Sequence, residues 1–281
     1  MQFFEFRSES AWWYVFGIAF VTAILVETLH PFRKLSTSTT RRWISNGVLL
    51  AASTLVTRCA FQLSGIALAM GARANRDGLL NRVALPLGAR FFLGICALDL
   101  THYFTHRLLH AFGMLWRVHR VHHSENDLDA TTGLRFHPAE GLITQGAPLL
   151  TIALLGVPAS AVVVEALMVV VQDLFTHANV GLPAWLERYL RFVIITPGMH
   201  RTHHSEEFDE QNTNFGTIFS LWDRLFATYQ AEPAAGGQIR CGVTELPEGS
   251  SLHAGALLLL PFRDAPGVAQ ADAVQHAPLT D

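Results

Sequence analysis

Long apolar segments alternate with short polar segments along this chain. The four longest apolar segments are residues 11–29, 43–70, 84–100 and 142–172. A helix needs about 20 consecutive apolar residues to cross the hydrocarbon core of a bilayer. Segment 11–29 is apolar on every side of the helix, as in a membrane span, although a helix buried in a soluble protein has the same pattern. The pattern predicts a bundle of helices within a membrane.

The fourth segment, 142–172, is interrupted by Gly156 and Pro158. Each half is short for a complete crossing, so the two halves suit a helical hairpin that enters and leaves on one side of the membrane. A single span with a kink at Pro158 is the alternative. The hairpin brings the polar segments before and after it to one membrane face, whereas a single span would separate them.

Composition agrees with a membrane protein. Of the 281 residues, 50% are hydrophobic and 15% are charged, whereas about 25% are charged in soluble domains. The net charge of −3 provides no basic face for a nucleic acid. The three cysteines are scattered along the chain, so neither a disulfide framework nor a thiolate metal site is expected.

Basic residues between the first two apolar segments set the expected orientation. This loop contains Arg33, Lys34, Arg41 and Arg42 and no acidic residue, which is typical of a cytoplasmic loop. We therefore expect an all-α integral membrane protein, a polytopic helical bundle with a cytoplasmic helical cap. The expected parts are membrane helices in 1–98, a catalytic region in 99–230 that includes the hairpin, and a partly ordered C-terminal tail in 231–281.

Histidines supply the candidate chemistry. Eight of the fourteen form three clusters with helical spacing: His106 and His110; His119, His122 and His123; His200, His203 and His204. Residues i, i+3 and i+4 share one side of a helix, so each cluster presents its imidazoles together. One ion takes four to six ligands, so eight imidazoles predict two metal ions. A loose metal-capturing tract and a pH sensor are the alternatives.

The remaining histidines fall into two classes. His137 precedes Pro138, which favours a turn, and His177 follows the hairpin, and both are predicted to be additional metal ligands. His102 lies one helical turn before His106 and is either a ligand or a neighbour of the ligands. Isolated histidines are usually ordinary surface or core residues, so no role is expected for His30, His253 and His276.

From Asp99 to Tyr229 the sequence resembles the fatty acid hydroxylase superfamily, also called the sterol desaturase family. The resemblance is carried, in the family's order, by DLTHYFTHRLLH, LWRVHRVHHSE, TTGLRFHPAE, FTHANVGLP, TPGMHRTHHSEE and NTNFGTIFSLWDRLFATY. It implies an integral membrane enzyme with two iron ions that uses O2 and external electrons to hydroxylate or desaturate a sterol, a fatty acyl chain or a related lipid. It does not decide between hydroxylation and desaturation.

Matched position by position, the resemblance implies ten metal ligands: His106, His110, His119, His122, His123, His137, His177, His200, His203 and His204. Two positions depart from the family's pattern. Ala227 replaces the usual glycine, and His102 stands where an aromatic or aliphatic residue is more common. Neither departure removes a ligand. No cytochrome b5 domain flanks the motifs, so we expect electrons from a separate protein of the ferredoxin or cytochrome b5 type.

Carboxylates near the motifs are expected to accept the outer N–H groups of the ligand imidazoles and so orient them. Asp99 and Asp173 are the preferred pair in the catalytic site, because each lies where an apolar segment ends and a lone charge would be costly. Other candidates are Glu140, Glu206 and Asp223. Three arginines that follow ligand histidines are expected to extend to the membrane surface: Arg107, Arg120 and Arg201.

Two other functions use histidine clusters in membranes. A membrane zinc-dependent hydrolase would need a carboxylate base beside the metal, as in HExxH, and the chain lacks that motif. A metal transporter or sensor would carry ligands along its membrane helices, whereas here the clusters lie at helix ends. Oxidation of a lipid C–H bond by O2 requires a redox-active metal, which zinc is not, and the metal that the resemblance implies is iron.

Overall fold

The computed structural model describes residues 2–61, 64–244, 246 and 252–263. Within these residues the fold is all-α, as the sequence predicts, and β-structure is limited to isolated bridges. The helices are α1 (Gln2–Leu29), α2 (Thr39–Ala60), α3 (Gly65–Asn75), α4 (Leu79–Arg82), α5 (Leu87–Ala111), α6 (Gly113–His123), α7 (Pro138–Leu155), α8 (Ala159–His177), α9 (Ala184–Leu190), α10 (Pro197–His203), α11 (Phe208–Gln211), α12 (Leu221–Leu225) and α13 (Ala254–Leu259).

Three segments are long and apolar enough to cross a membrane: Ser10–Leu29, Thr39–Arg82, in which residues 62 and 63 are not described, and Ala159–His177. Their length and composition make the chain an integral membrane protein. The predicted third segment, 84–100, falls largely in α5, which is not among these candidate spans. Arg90, Asp99 and His102 interrupt its apolar sequence.

α7 and α8 occupy the predicted hairpin and are joined by a turn at Gly156. This glycine adopts a left-handed φ of 67° at the end of α7, and a Cβ there would lie 2.4 Å from Nδ2 of Asn81. Both helices contact α3 and α5. The apolar core between them is formed by Ala69, Ile95, Leu98, Ile152, Val157 and Ala161.

The loop between α1 and α2 packs against the residues that follow α6. Oδ2 of Asp127 accepts hydrogen bonds from the backbone and hydroxyl groups of Ser36 and Thr37, at 2.7–3.0 Å. The Arg42 guanidinium, at the start of α2, pairs with Asp129 at 2.5 Å. The basic loop and the residues after the second histidine cluster therefore lie on the same side of the molecule.

The C-terminal residues 252–263, which belong to the predicted tail, pack against α2 and α6. Leu257 and Leu260 are buried in one cluster with Leu49 of α2 and Val121 of α6. The buried Arg120 guanidinium donates to the carbonyl oxygen of Leu260 at 2.6 Å. The prediction that Arg120 extends to the membrane surface is therefore wrong. Residues 264–281, including His276, lie outside the described part of the chain.

Candidate metal centre

Four helices bring nine imidazoles together at one end of the bundle. The C-terminal half of α5 carries His106 and His110, and α6 carries the second cluster. His177 is the last residue of α8, and α10 carries the third cluster up to His204, which caps it. α10 begins at Pro197 with Thr196 as its N-cap, whose hydroxyl accepts a hydrogen bond from the Met199 amide at 3.3 Å.

The imidazoles form two groups. In each group the candidate ligand atoms all lie within 4.8 Å of one another. The first group contains His106, His110, His119, His123 and His203, and the second contains His122, His177, His200 and His204. Both groups consist of histidines alone, and the groups are adjacent, because the stacked rings of His123 and His204 have centroids 4.3 Å apart.

The spacing of the HxxHH motifs explains how each one contributes to both groups. In α6, His119 and His123 have the spacing i and i+4 and belong to the first group, whereas His122 belongs to the second. In the other motif, His200 and His204 enter the second group and His203 enters the first. Adjacent residues point about 100° apart on a helix, so one motif can supply two neighbouring sites.

The contacts in the second group suit a shared cation. Nε2 of His177 lies 3.1 Å from Nε2 of His122 and 2.8 Å from Nε2 of His200, and the latter is 3.2 Å from Nε2 of His204. Two nitrogens that bind one ion at about 2.1 Å lie about 3.0 Å apart at a right angle and about 3.4 Å apart at a tetrahedral angle. These three spacings are short enough for the nitrogens to share one cation.

Several buried ring nitrogens have no hydrogen-bond partner within the described chain. They include Nε2 of His110, Nε2 of His203 and both ring nitrogens of His123. A buried polar atom without a partner is costly, and a bound cation removes that cost. The residues present thus fit a pair of metal ions.

Burial also sets the protonation state of the imidazoles. Removal from water lowers the pKa of His119, His122 and His200 well below the ordinary 6.5, and charges on neighbouring imidazoles would lower it further. The same causes lower the pKa of His123 and His204. The rings are therefore neutral at pH 7, which is the form that binds a metal.

Outer contacts direct the Nε2 atoms toward the interior of the centre. Nδ1 of His106 lies 2.9 Å from the carbonyl oxygen of Phe215, and Nδ1 of His203 lies 2.8 Å from that of Thr213. Nδ1 of His177 lies 2.7 Å from the carbonyl oxygen of Asp173. A carbonyl only accepts, so each Nδ1 carries the proton and each Nε2 keeps its lone pair for a metal.

Glu140 is the carboxylate that contacts a candidate ligand directly. Its Oε1 lies 2.6 Å from Nδ1 of His119, and burial raises the pKa of Glu140 well above the ordinary 4.5. A cation bound to His119 would oppose that shift by stabilising the carboxylate. The sequence named Glu140 as a candidate but preferred Asp99 and Asp173.

Neither Asp99 nor Asp173 contributes a carboxylate oxygen to the two histidine groups. The Asp99 carboxylate accepts the backbone N–H groups of Ile218 and Phe219 and the indole N–H of Trp222, at 2.8–3.1 Å. Asp173 contacts His177 through its backbone carbonyl, as described above. The carbonyl groups of Thr213 and Phe215 were not predicted from the sequence as partners of ligand imidazoles. The available signal in the sequence was the NTNFG motif, since asparagine favours turns. In the structure Asn214 adopts a left-handed φ of 51° there.

The structure does not bring His137 or His102 into either group. His137 is the N-cap of α7, where Nδ1 accepts from the Ala139 amide at 3.1 Å and Nε2 lies 3.3 Å from the Leu258 carbonyl oxygen. Nε2 of His102 lies 2.9 Å from the Glu165 carboxylate. The isolated His30 and His253 are exposed and outside both groups.

Arg201 is buried, contrary to the prediction that it extends to the membrane surface. Its guanidinium donates to the carbonyl oxygen of Val180 at 3.0 Å and lies 3.8 Å from the centre of the Phe32 ring. Arg107 lies 5.9 Å from the centre of the Tyr103 ring. Arg201 therefore joins the third histidine cluster to the loop between α1 and α2.

Comparison with known proteins agrees with these motifs. The model of the fatty acid hydroxylase family matches residues 91–228. An ornithine lipid hydroxylase of Rhizobium tropici is 32% identical over 148 residues, which cover 53% of this chain and 44% of that protein. The alkylglycerol monooxygenase of Homo sapiens is 28% identical over 145 residues, which cover 50% of this chain and 30% of that protein.

Methylsterol monooxygenase 1 of Rattus norvegicus is 30% identical over 133 residues, which cover 46% of this chain and 43% of that protein. The matches thus span less than half the length of these three relatives. No solved structure matches the chain significantly. Residues 91–228, which contain all nine facing imidazoles, are thus a fatty acid hydroxylase domain.

Proposed function

We propose that this chain is a lipid hydroxylase or desaturase that uses O2 and holds two iron ions in the two histidine groups. One observation carries the proposal: nine imidazoles, eight of them buried, face one another in two adjacent groups within a region shared with lipid and sterol monooxygenases. Iron bound there supplies the redox chemistry that oxidation of a lipid C–H bond by O2 requires.

The side chains of the centre bind and orient the metals and keep water away. The neutral imidazoles present Nε2 lone pairs inward, because carbonyl groups or Glu140 hold the protons on the opposite Nδ1 atoms of His106, His119, His177 and His203. Most of these rings are fully buried. A buried, preorganised ligand set keeps two metals in fixed positions.

Asp99 and Asp173 serve in this proposal as positioning residues. Asp99 holds the backbone at Ile218 and Phe219, close to the segment whose carbonyl groups receive His106 and His203. The backbone of Asp173 receives the Nδ1–H of His177. Each acts on the metal site through a neighbouring group, and neither offers an atom to the two histidine groups.

The active site is assigned to the cytoplasmic face. The loop between α1 and α2 carries four basic residues and no acid in 31–42, a cytoplasmic pattern. Its Ser36 and Thr37 bind Asp127, four residues after His123. A loop that touches the metal-binding cap lies on the same membrane face as the cap, so the orientation of one fixes the orientation of the other.

The substrate is a membrane lipid and the electrons come from a separate protein. The relatives are named for an ornithine lipid, an alkylglycerol and a methylsterol, all of which are found in a bilayer. Reduction of O2 needs two external electrons, which a donor protein of the ferredoxin or cytochrome b5 type delivers. The metal-binding cap faces the aqueous side on which such a donor moves.

The rival functions fit the site less well. A zinc hydrolase needs a carboxylate base at the metal, but both groups contain histidines alone, and Glu140 contacts a ligand's outer nitrogen. A transporter needs ligands along a membrane path. Here the ligands lie at the ends of α5 and α8 and in the short α6 and α10.

Isotope labelling of lipids tests the proposal. Cells that express the wild-type chain are grown under 18O2, and their lipids are compared by mass spectrometry with those of cells that express His203→Ala. We expect a lipid that gains 18O, or that loses two hydrogens, only with the wild type. His30→Ala is the control, because His30 is exposed and lies outside both groups. Lipid cleavage that proceeds without O2 would reject the proposal in favour of a hydrolase.

A further inference from the structure

Large apolar side chains are exposed between α8 and α10 and on α12. Trp185, Tyr189 and Phe192 have the spacing i, i+4 and i+7, so they share one side of α9 and its following turn. They are 65%, 68% and 62% exposed, respectively. The name aromatic face is used below for six exposed side chains: Trp185, Tyr189, Phe192, Val193, Leu221 and Leu225.

Backbone and side-chain contacts join these residues into one continuous surface. The Ser220 amide, directly before α12, donates to the carbonyl oxygen of Val193 at 3.2 Å. The Arg224 guanidinium donates to the Arg191 carbonyl oxygen at 2.9 Å and lies 5.0 Å from the centre of the Phe192 ring. α9 has no buried residue. A continuous exposed apolar surface of this kind marks an interaction site.

Hydrogen bonds that join α5 and α8 to the aromatic face show how far it lies from the metal centre along these two helices. Asp99 holds the residues directly before and within α12, and it precedes His106 by seven residues, or about 10 Å along α5. Nε2 of Gln172 donates to the Ile195 carbonyl oxygen at 2.5 Å, and Gln172 precedes His177 by five residues, or about 8 Å along α8. The surface therefore lies on the apolar side of the metal centre.

The side chains around the aromatic face are of the types that occur in the headgroup region of a bilayer. The N-terminal half of α5 also exposes the apolar side chains of Phe92 and Leu93. Arg188 is exposed beside Tyr189, and the Arg224 guanidinium lies 3.8 Å from the centre of the Tyr229 ring. Trp and Tyr are enriched where membrane meets water, and arginines there attract anionic lipid headgroups.

We propose that the aromatic face lies in the headgroup region of the bilayer that the membrane helices cross, and so docks the metal-binding cap onto the membrane surface. A lipid surface explains why aromatic, aliphatic and arginine side chains occur together at this depth. The exposed Phe92 precedes Asp99 by seven residues and therefore lies on the side of α5 that contacts α12. The docking does not depend on which reaction the metal centre performs.

Fluorescence quenching in proteoliposomes tests the docking. The full chain, with Cys59 and Cys96 changed to Ser, carries a bimane label at Tyr189→Cys or at Phe192→Cys. The liposomes contain phosphatidylcholine and phosphatidylglycerol, with or without brominated acyl chains, and iodide is the aqueous quencher. The matched control is a label at Phe208→Cys, because Phe208 is 57% exposed but lies in α11 between Glu207 and Asp209.

We expect brominated lipid to quench the labels at 189 and 192 at least about twofold more than the label at 208, with the opposite order for iodide. Stronger quenching by iodide at 189 and 192 would mean that the face is in water and would overturn the docking. Protection of these labels from both quenchers, with an oligomer in cross-linking, would assign the face to a second copy and would also overturn it.

Discussion

Nδ1 of His119 lies 2.6 Å from Oε1 of Glu140, and both side chains are buried. Glu140 lies in the first turn of α7, whereas His119 lies on α6 and points its Nε2 toward Nε2 of His106 at 3.1 Å. One carboxylate thus fixes the tautomer of a candidate ligand, and it ties the first metal group to the start of the hairpin.

Removal of this carboxylate is expected to weaken metal binding by the first histidine group and not by the second. Glu140→Ala should lower metal affinity there by about 10–100-fold, because the loss of an outer partner of a metal ligand commonly has that effect. Metal content measured after dialysis against a chelator should fall from about two ions per chain to about one. Glu206→Gln is the control, since Glu206 pairs with the exposed Arg240 at 3.0 Å. Equal metal retention in both variants would contradict the role of Glu140.

His137 and His177 are expected to respond differently to replacement. His177→Ala removes a member of the second group and should lower the metal content. His137→Ala should keep both metals and lose about 0.5–2 kcal/mol of stability, because His137 is the N-cap of α7. Metal analysis and thermal unfolding of each purified variant check this. Loss of metal in His137→Ala at an unchanged melting temperature would restore His137 as a ligand.

The histidine motifs were predictable from spacing, but their division between two groups was not. Helical periodicity places His119, His122 and His123 at one end of α6. It does not reveal that His122 contacts His177, because that contact depends on how α8 ends against α6. The position of His137 outside both groups was not predictable for a related reason. A histidine before Pro138 can bind a metal or cap a helix, and only the position of α7 distinguishes the two.

The preference for Asp99 and Asp173 over Glu140 has a similar physical explanation. A charged side chain at the end of an apolar segment needs a hydrogen-bond or charge partner. In the sequence, the histidines are the nearest candidates for that partner. The structure provides backbone N–H groups of Ile218 and Phe219 for Asp99 instead. These backbone groups reach Asp99 because a loop that is distant in the sequence packs against α5, and a local sequence pattern does not predict such packing.

Arg135 is expected to support the turn after the second histidine cluster. Its buried guanidinium donates to the Val121 carbonyl oxygen at 2.8 Å and the Ser124 hydroxyl at 2.8 Å, and it pairs with the buried Glu125 at 3.2 Å. Arg135→Met should cost about 3–5 kcal/mol, because Glu125 loses a charge partner. The double variant with Glu125→Gln should recover part of this loss in chemical denaturation. A double variant as unstable as the sum of the single variants would contradict the pairing.

Asp127 holds the loop between α1 and α2 through hydrogen bonds from Ser36 and Thr37, and we expect these contacts to weaken at acidic pH. Burial alone would raise the Asp127 pKa, but hydrogen bonds from Thr37 and Ser36 outweigh it and lower the pKa below its ordinary 3.8. The folded state therefore favours the charged form, and this stabilisation is present above about pH 4 and is lost as the pH falls through the folded pKa.

Asp127→Ala should accordingly destabilise the protein by about 1–3 kcal/mol at pH 7, because it leaves the Ser36 and Thr37 donors without their acceptor. The difference between wild type and variant should narrow below about pH 4. Thermal unfolding of the two proteins across this range measures it. A difference that stays constant down to pH 3 would show that the charge of Asp127 has no part in the attachment.

Metal analysis combined with O2 uptake is the most direct test of the proposal that this chain is an oxygenase with two metal ions. The protein is purified in its membrane lipids under reducing conditions, its metals are quantified, and O2 consumption is recorded with a reductant and electron-donor protein added. Nine facing imidazoles in two groups predict about two iron ions per chain and lipid-dependent O2 uptake. His200→Ala and His203→Ala, which alter different groups, should each abolish that uptake. Zinc at full occupancy in a protein that turns over lipid without consuming O2 would contradict the assignment.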